Sequence, residues 1–293
     1  MTTQLSRGMK SLPILAGLFL FVTACQKSVS TSKSNTPTTK AVNIYLTDDQ
    51  SLVFDQVMID IQKLEIKLED SSEVEHEMEN ESESDNNDRL GHTSGGWKPV
   101  DIHTGVYDIL KFRNGLDTLF GSSSFSSTHS LRKVRLTLGT NNSVVYNGNA
   151  FPVLIKGNDN FIVIKLNEIT EGSDDHSDTN FWLDFDAGRS IRMHGSEFEM
   201  KPQVKAFRKD KTGSVEGRVL PADANAVVYA IMGTDTTSAK PEREGEFKII
   251  GLKPGSYSVV FHATANNYQD KTIGNVVVGN NEDAHLGSIT LQK

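Results

Sequence analysis

The feature that most constrains this chain is a period-two alternation of apolar side chains whose parity flips once. Val57, Ile59 and Ile61 alternate with polar neighbours, and Leu64, Ile66 and Leu68 continue the alternation on the opposite parity. Successive side chains of a strand point to opposite faces, so such a run buries one face and wets the other. The switch at Gln62-Lys63 predicts a β-bulge, because one extra residue swaps the parity that is buried. Val42, Ile44 and Leu46 alternate in the same way. Further strands are expected at Val134–Leu138, Val144–Tyr146, Phe161–Leu166, Phe181–Phe185 and Met200–Phe207, with turn signals at Asn141-Asn142, Asn147-Gly148, Gly157-Asn158 and His194-Gly195 between them. Gly105–Phe120 suits either a short helix or a strand, and the Ser-rich stretch Gly121–Ser130 reads as a polar loop. Many short strands without a long amphipathic helix predict an all-β sandwich architecture.

A polar joint at Lys209–Thr212 precedes a second block of strands, Gly213-Ser-Val-Glu-Gly217-Arg-Val219, Gly245-Glu-Phe247-Lys-Ile249 and Gly251-Leu252-Lys-Pro254-Gly255-Ser-Tyr257-Ser-Val259. Pro254 presets φ, and a positive φ at Gly255 would complete a type II turn. The Gly-Leu-x-Pro-Gly-x-Tyr core resembles the carboxypeptidase regulatory-like domain, a prealbumin-like, seven-stranded sandwich of the carbohydrate-binding-like fold, over about Gly213–Leu291. That resemblance implies an accessory module that brings neither zinc ligands nor an active site. The first block carries Tyr45-Leu-Thr-Asp48, Val57–Ile61, Gly105-Val-Tyr-Asp108-Ile-Leu, Arg135-Leu-Thr-Leu138, Leu183-Asp-Phe-Asp186-Ala-Gly-Arg189-Ser and Lys201-Pro202. Over about Ala41–Phe207 it resembles the domain-of-unknown-function 4382 family, found in bacterial lipoproteins and often followed by the regulatory-like sandwich. The resemblance implies architecture and no activity.

At the N-terminus Arg7 and Lys10 precede an apolar run from Leu12 through Val22, a basic region and a short hydrophobic region of signal-peptide type. Val22-Thr23-Ala24-Cys25 resembles the bacterial lipobox, in which small residues precede a Cys that is lipidated before cleavage. Cys25 is also the only cysteine of the chain. The resemblance implies a lipoprotein signal peptide over 1–24 and a membrane anchor at Cys25, with several acyl chains holding far better than one. Gln26 in place of Asp favours the outer membrane. Gln26-Lys27 starts a surface-export signal whose acidic part is replaced by Ser28-Val29-Ser30, so the periplasmic face and the cell surface both stay open. Residues 25–40 form a flexible tether too poor in apolar side chains to fold. Two β-sandwich domains are expected after it, at 41–208 with an acidic insertion over 69–89, and at 213–293.

The 293 residues carry 30 Lys and Arg against 38 Asp and Glu, a net charge of −8, so no basic field marks a nucleic-acid binder. One Cys excludes an intramolecular disulfide, a Cys-rich zinc site and an iron–sulfur centre. Ten acidic residues lie in Glu69–Asp88 with no Lys or Arg, and removing them would leave the chain at about +2. A cation site there would need a glycine-shaped calcium loop, and no Asp-x-Asp-x-Asp-Gly pattern occurs. In the loop Asp174-Asp175-His176-Ser177-Asp178, no second His stands at metal-ligand spacing. Both stretches read first as solvated surface.

Asp184 and Asp186, two apart on an expected strand, would share a face, and two carboxylates can act as acid and base in glycoside cleavage. Arg189 after Ala187-Gly188 makes an Asp–Arg turn clamp the simpler reading, as turn capping is for Asp48-Asp49. Trp97, Trp182, Tyr229, Tyr257 and Tyr268 are the rings available for stacking on sugars, and Trp97 beside Gly95-Gly96 is the one expected to be accessible. No nucleophile elbow, phosphate loop, dinucleotide fingerprint or His-Glu-x-x-His motif occurs. The expectation is a lipid-anchored, non-enzymatic envelope module with no catalytic residue, cofactor or resident metal, binding a polysaccharide or glycan. The alternatives are an assembly protein that docks an envelope partner by strand addition and a hydrolase using Asp184 or Asp186.

Overall fold

The fold was analysed in a computed structural model, which describes residues 39–48, 54–70, 96–127, 129–166 and 179–293. Cys25, the signal and most of the tether, most of the acidic run and the 174–178 loop lie outside the described residues. Two stretches assigned by sequence to irregular chain are strand instead. Thr39 and Lys40 open strand β1 (Thr39–Thr47), and the backbone of Glu69 and Asp70 ends strand β2 (Gln56–Asp70), paired with Ser130 and His129. Pairing with a neighbouring strand outweighs their polar composition.

The bulge is where the parity switch puts it. β2 pairs antiparallel with β6 (His129–Leu138), and the register slips between Ile61 and Lys63, so Val57, Ile59, Ile61, Leu64, Ile66 and Leu68 all reach the interior. On its other edge β2 meets β3 (Trp97–Ile102) and β4 (Gly105–Asp108), and β9 (Phe161–Lys165) pairs beyond β6. Near its start β2 also meets β7 (Ser143–Tyr146), which leads through β8 (Asn149–Ile155) to β12 (Glu197–Met200) and β11 (Ile191–His194). Asn147 and Gly148, at φ 51° and 74°, form the two-residue loop of the β7–β8 hairpin, the turn that Asn-Gly favours.

A second sheet runs β3–β5–β1–β10–β13, with β5 at Thr118–Ser126, β10 at Thr179–Phe185 and β13 at Val204–Phe207. Strand β3 belongs to both sheets and joins them along one side. Val42, Ile44 and Leu46 from β1 and Phe181, Leu183 and Phe185 from β10 pack inward against Ile59, Ile66 and Leu136 of the first sheet. Fully burying each such side chain contributes about 1.5–3 kcal/mol. Three sequence expectations change here. The Ser-rich stretch is mostly β5 and the start of β6, because Phe120 and Phe125 reach the core while Ser122 and Ser124 face solvent. Gly105–Phe120 divides into β4, a 3-10 turn (Ile109–Phe112) and the start of β5. Met200–Phe207 breaks at Lys201–Gln203, where Pro202 lacks a ladder donor and the chain passes from one sheet to the other.

After a 3-10 turn (Lys209–Lys211) come β14 (Gly213–Leu220), β15 (Val227–Met232), β16 (Asp235–Ala239), β17 (Glu246–Leu252), β18 (Gly255–His262), β19 (Lys271–Val278) and β20 (Asp283–Thr290). They form a three-stranded sheet β17–β14–β20 and a four-stranded sheet β16–β15–β18–β19, and enclose their own cluster of buried residues around Val215, Phe247, Val259 and Phe261. The glycine motif works differently from its sequence reading. Gly251, not Gly255, takes the positive φ (71°), and a Cβ there would meet the Phe207 ring at 2.9 Å. Gly255 already pairs with Val278 in β18, and a side chain on it would collide with Met232. The Tyr257 hydroxyl donates to the Lys253 carbonyl at 2.8 Å and closes the turn. The molecule is all-β, a set of sheets packed face to face.

Candidate functional site

Asp184 and Asp186 do not share a face. β10 ends at Phe185, and Asp186, at φ −65° and ψ 86°, caps the one-turn helix α1 (Ala187–Ser190). Its carboxylate accepts from the Arg189 amide at 2.8 Å and lies 3.4 Å from the Arg189 guanidinium. Asp48 accepts from the Ala187 amide at 3.3 Å. The clamp expected from Arg189 is therefore present and extends further, since its guanidinium also donates to the Thr236 carbonyl at 2.8 Å. Asn114 likewise reaches the Lys240 carbonyl at 3.2 Å. Arg189 of α1 thus reaches β16, and Asn114 reaches the residue that follows it.

Trp182 is packing. Its ring stacks on Tyr45 at 4.7 Å and lies 6.1 Å from Phe207, its indole N–H donates to Asp117 at 2.7 Å, and the Lys209 ammonium sits 4.6 Å above it. Tyr257 is buried in the second cluster, and Tyr268 packs against it beneath the Lys293 ammonium at 4.9 Å.

Trp97 stands apart. Bulging at Gln62 turns Lys63, Glu65 and Lys67 outward, and the antiparallel registers place Glu65 between Pro99 and Arg135. Arg135 donates to the Glu65 carboxylate at 2.7 Å, and the Lys63 ammonium meets its other oxygen at 2.7 Å. The guanidinium lies 4.5 Å from the Trp97 ring and 5.8 Å from the Phe161 ring. Trp97 and Phe161 are half-buried, Lys63 and Pro99 exposed. Burial pushes the Glu65 carboxyl up, but Arg135 and Lys63 outweigh it and hold it below the ordinary carboxylate value. The result is a flat strip of the outer sheet face with two rings flanking a fixed ion pair. Flat rings take the apolar face of a pyranose, and fixed ions can take its hydroxyls.

A second polar cluster covers the outer face of β17–β14–β20. The registers align Ser214 with Asp283 and Glu216 with both Lys248 and His285. Among the described residues, Glu216, Asp283 and His285 are the group whose ligand atoms converge within 4.8 Å. The Lys248 ammonium sits among them, 2.7 Å from Glu216 and 3.0 Å from Asp283, and His285 meets Glu216 at 2.7 Å. Ser214 donates to the other Asp283 oxygen. Burial pulls Lys248 down, yet Glu216 and Asp283 raise it above its ordinary value, while Ser214 and Lys248 lower Asp283. Beside this cluster a cleft of about 300 Å³ is lined by Gly115, Lys209, Ser214, Lys248 and Asp283. A lysine already supplies the charge that a cation would, so the cluster is a closed ion-pair network.

Sequence reading singled out Trp97 but missed Glu65, Arg135 and Lys248. Their available signal was opposite charge at outward strand positions, which acquires meaning only once the register is known.

A family model described as Domain of unknown function (DUF4382) matches residues 39–202. The chain belongs to that family. The DUF4382 match takes in β1 through β12, hence the whole Trp97 face, and stops before β13. No curated protein matches. Among solved structures, a type II cohesin–X-dockerin complex from Acetivibrio cellulolyticus is 26% identical over 27% of this chain and 56% of that one, with a TM-score of 0.23. The TIE protein of Bacillus anthracis is 11% identical over 87% of this chain and 35% of that one, TM-score 0.22. BcpA, the major pilin subunit of Bacillus cereus, is 10% identical over 87% and 70%, TM-score 0.22. The chain thus spans about half of the first of these and a third of the second.

Proposed function

We propose that this DUF4382 protein is a non-enzymatic, lipid-anchored binding module of the bacterial outer membrane, held by Cys25 through the tether 25–40, and that its ligand is a glycan. The observation that carries the ligand reading is the strip formed by Trp97, Phe161 and the Glu65–Arg135 pair, which offers ring faces and fixed polar groups side by side. Residues 41–208 form the ligand-binding domain in this reading, and 213–293 form a regulatory-like accessory sandwich that holds it. The Gly251–Tyr257 turn supports the second assignment through its side-chain roles, Leu252 in the core and Tyr257 closing the turn.

The anchor is tested by Cys25→Ser, which should release the protein from membranes and abolish lipid labelling. Retention in the membrane would contradict it. The ligand reading is tested by applying the full chain in mild detergent to a glycan array beside Trp97→Ala. Saturable binding to a glycan class, reduced at least about tenfold in the variant at unchanged melting temperature, is the expected result. Binding undisturbed by the substitution would move the site elsewhere.

Strand addition at β19 is the second reading, because this strand ends its sheet and Val277 is 73% exposed. A register slip between Tyr257 and Val259 and the left-handed Asn275 twist that edge, which ranks it below the glycan.

A further inference from the structure

The two rings of the strip belong to opposite corners of the outer face, yet they converge on one guanidinium. Trp97 stands on β3 opposite Lys67 of β2, and Phe161 stands on β9 opposite Thr137 of β6, which pairs in turn with Lys63. Three strand spacings and four residues of strand separate their backbones, about 14 Å in each direction. The side chains close most of that gap, because the Arg135 guanidinium lies 4.5 Å from one ring and 5.8 Å from the other. The ring centres are no farther apart than those two distances together, about two strand spacings of ~4.8 Å. Arg135 gives its Nε to Glu65, its side chain keeps 16% of its exposure, and its two terminal nitrogens donate to none of the described residues. The face therefore offers a diagonal of ring, open N–H donors and ring.

We infer that the ligand of this face is an extended, linear polysaccharide held by two of its sugars at once, one packed on Trp97 and the other on Phe161, with hydroxyls between them accepting from Arg135. This rests on the glycan reading above and names the class of glycan. One strand spacing is close to the advance of one sugar along an extended chain, so rings this far apart serve sugars that are neighbours or next but one. A single sugar covers one ring alone, and a chain that coils turns its second sugar away from the sheet. Once the first ring is covered, the second contact forms within the same complex, so affinity grows with chain length until both are made. The Glu65 ion pair holds the guanidinium between the rings before any ligand arrives, which lowers the ordering cost of binding.

The test uses oligosaccharides that differ in shape and length. The extended probes are the β-linked series of glucose, xylose, mannose and N-acetylglucosamine, from single sugar to hexasaccharide, and the coiled probe is maltohexaose, α-linked. Affinities are measured by calorimetry for the full chain in mild detergent, for Trp97→Ala, and for Phe161→Leu, which keeps apolar bulk and removes the ring. At least one extended series should bind, with affinity rising at least about tenfold from single sugar to trisaccharide and levelling off beyond it. Its hexasaccharide should bind at least about tenfold tighter than maltohexaose. Trp97→Ala and Phe161→Leu should each remove most of the rise with length. If circular dichroism shows Phe161→Leu unfolded, the length series on the unaltered chain decides. A single sugar bound as tightly as the trisaccharide, maltohexaose bound as tightly as the extended hexasaccharides, or a folded Phe161→Leu that binds like the full chain overturns the inference and leaves the glycan reading standing. Failure of every extended probe does the same where the glycan array is positive for another class. An array with no binding at all overturns both.

Discussion

Two outer sheet faces of this protein carry ion pairs, and they set them in different surroundings. On β17–β14–β20, Lys248 stands between Glu216 and Asp283, with His285 and Ser214 completing the set, so charge alternates across the strands. On β2–β6–β9, Glu65 holds both Arg135 and Lys63, and the Arg135 guanidinium lies against the Trp97 and Phe161 rings. The first arrangement spends its charges on the fold. The second presents its ion pair beside two aromatic rings. A charged cluster is thus a poor indicator of a site until the register shows what its members stand beside.

The contrast can be broken from either side. Glu65→Ala removes the carboxylate that holds the largely buried Arg135 and Lys63, so the protein should lose about 2–3 kcal/mol in denaturant titration. Lys248→Met leaves Glu216 and Asp283 facing each other, with water able to reach them, and should cost about 1 kcal/mol. A loss for Glu65→Ala no larger than for Lys248→Met would erase the difference between the faces.

Acid and alkali separate them further. Glu65 is held below its ordinary value in the fold, so its contribution is present above about 4.5 and is lost as pH falls through the lower folded value. Lys248 is raised, so its contribution is complete below 10.5 and is lost as pH rises through the higher folded value. In stability–pH curves Glu65→Ala should flatten the acid limb, and Lys248→Met should flatten the alkaline limb. Since Asp283 is lowered partly by Lys248, the second variant also softens the acid limb.

The sheets were legible where burial enforces alternation. The bulge at Gln62 could be read because a slip of one residue would otherwise expose Leu64, Ile66 and Leu68. Where pairing rather than burial makes the strand, as at Ser122–Ser124 or Glu69-Asp70, composition pointed to loop and the register decided otherwise. Positive φ falls at Gly251 rather than Gly255, and there Phe207, over forty residues earlier, also leaves no room for a Cβ. The candidate site was legible only in Trp97. Glu65, Arg135 and Phe161 lie on strands far apart in sequence, and no spacing rule connects them.

The most direct measurement uses the fact that the chain has two tryptophans. Trp182→Phe keeps a ring against Tyr45 and Phe207 and leaves Trp97 as the sole indole. Its emission should then shift saturably on titration with a glycan that the full chain binds, with a midpoint matching the binding isotherm. Binding seen by calorimetry with no change in Trp97 emission would place the ligand elsewhere and contradict the account.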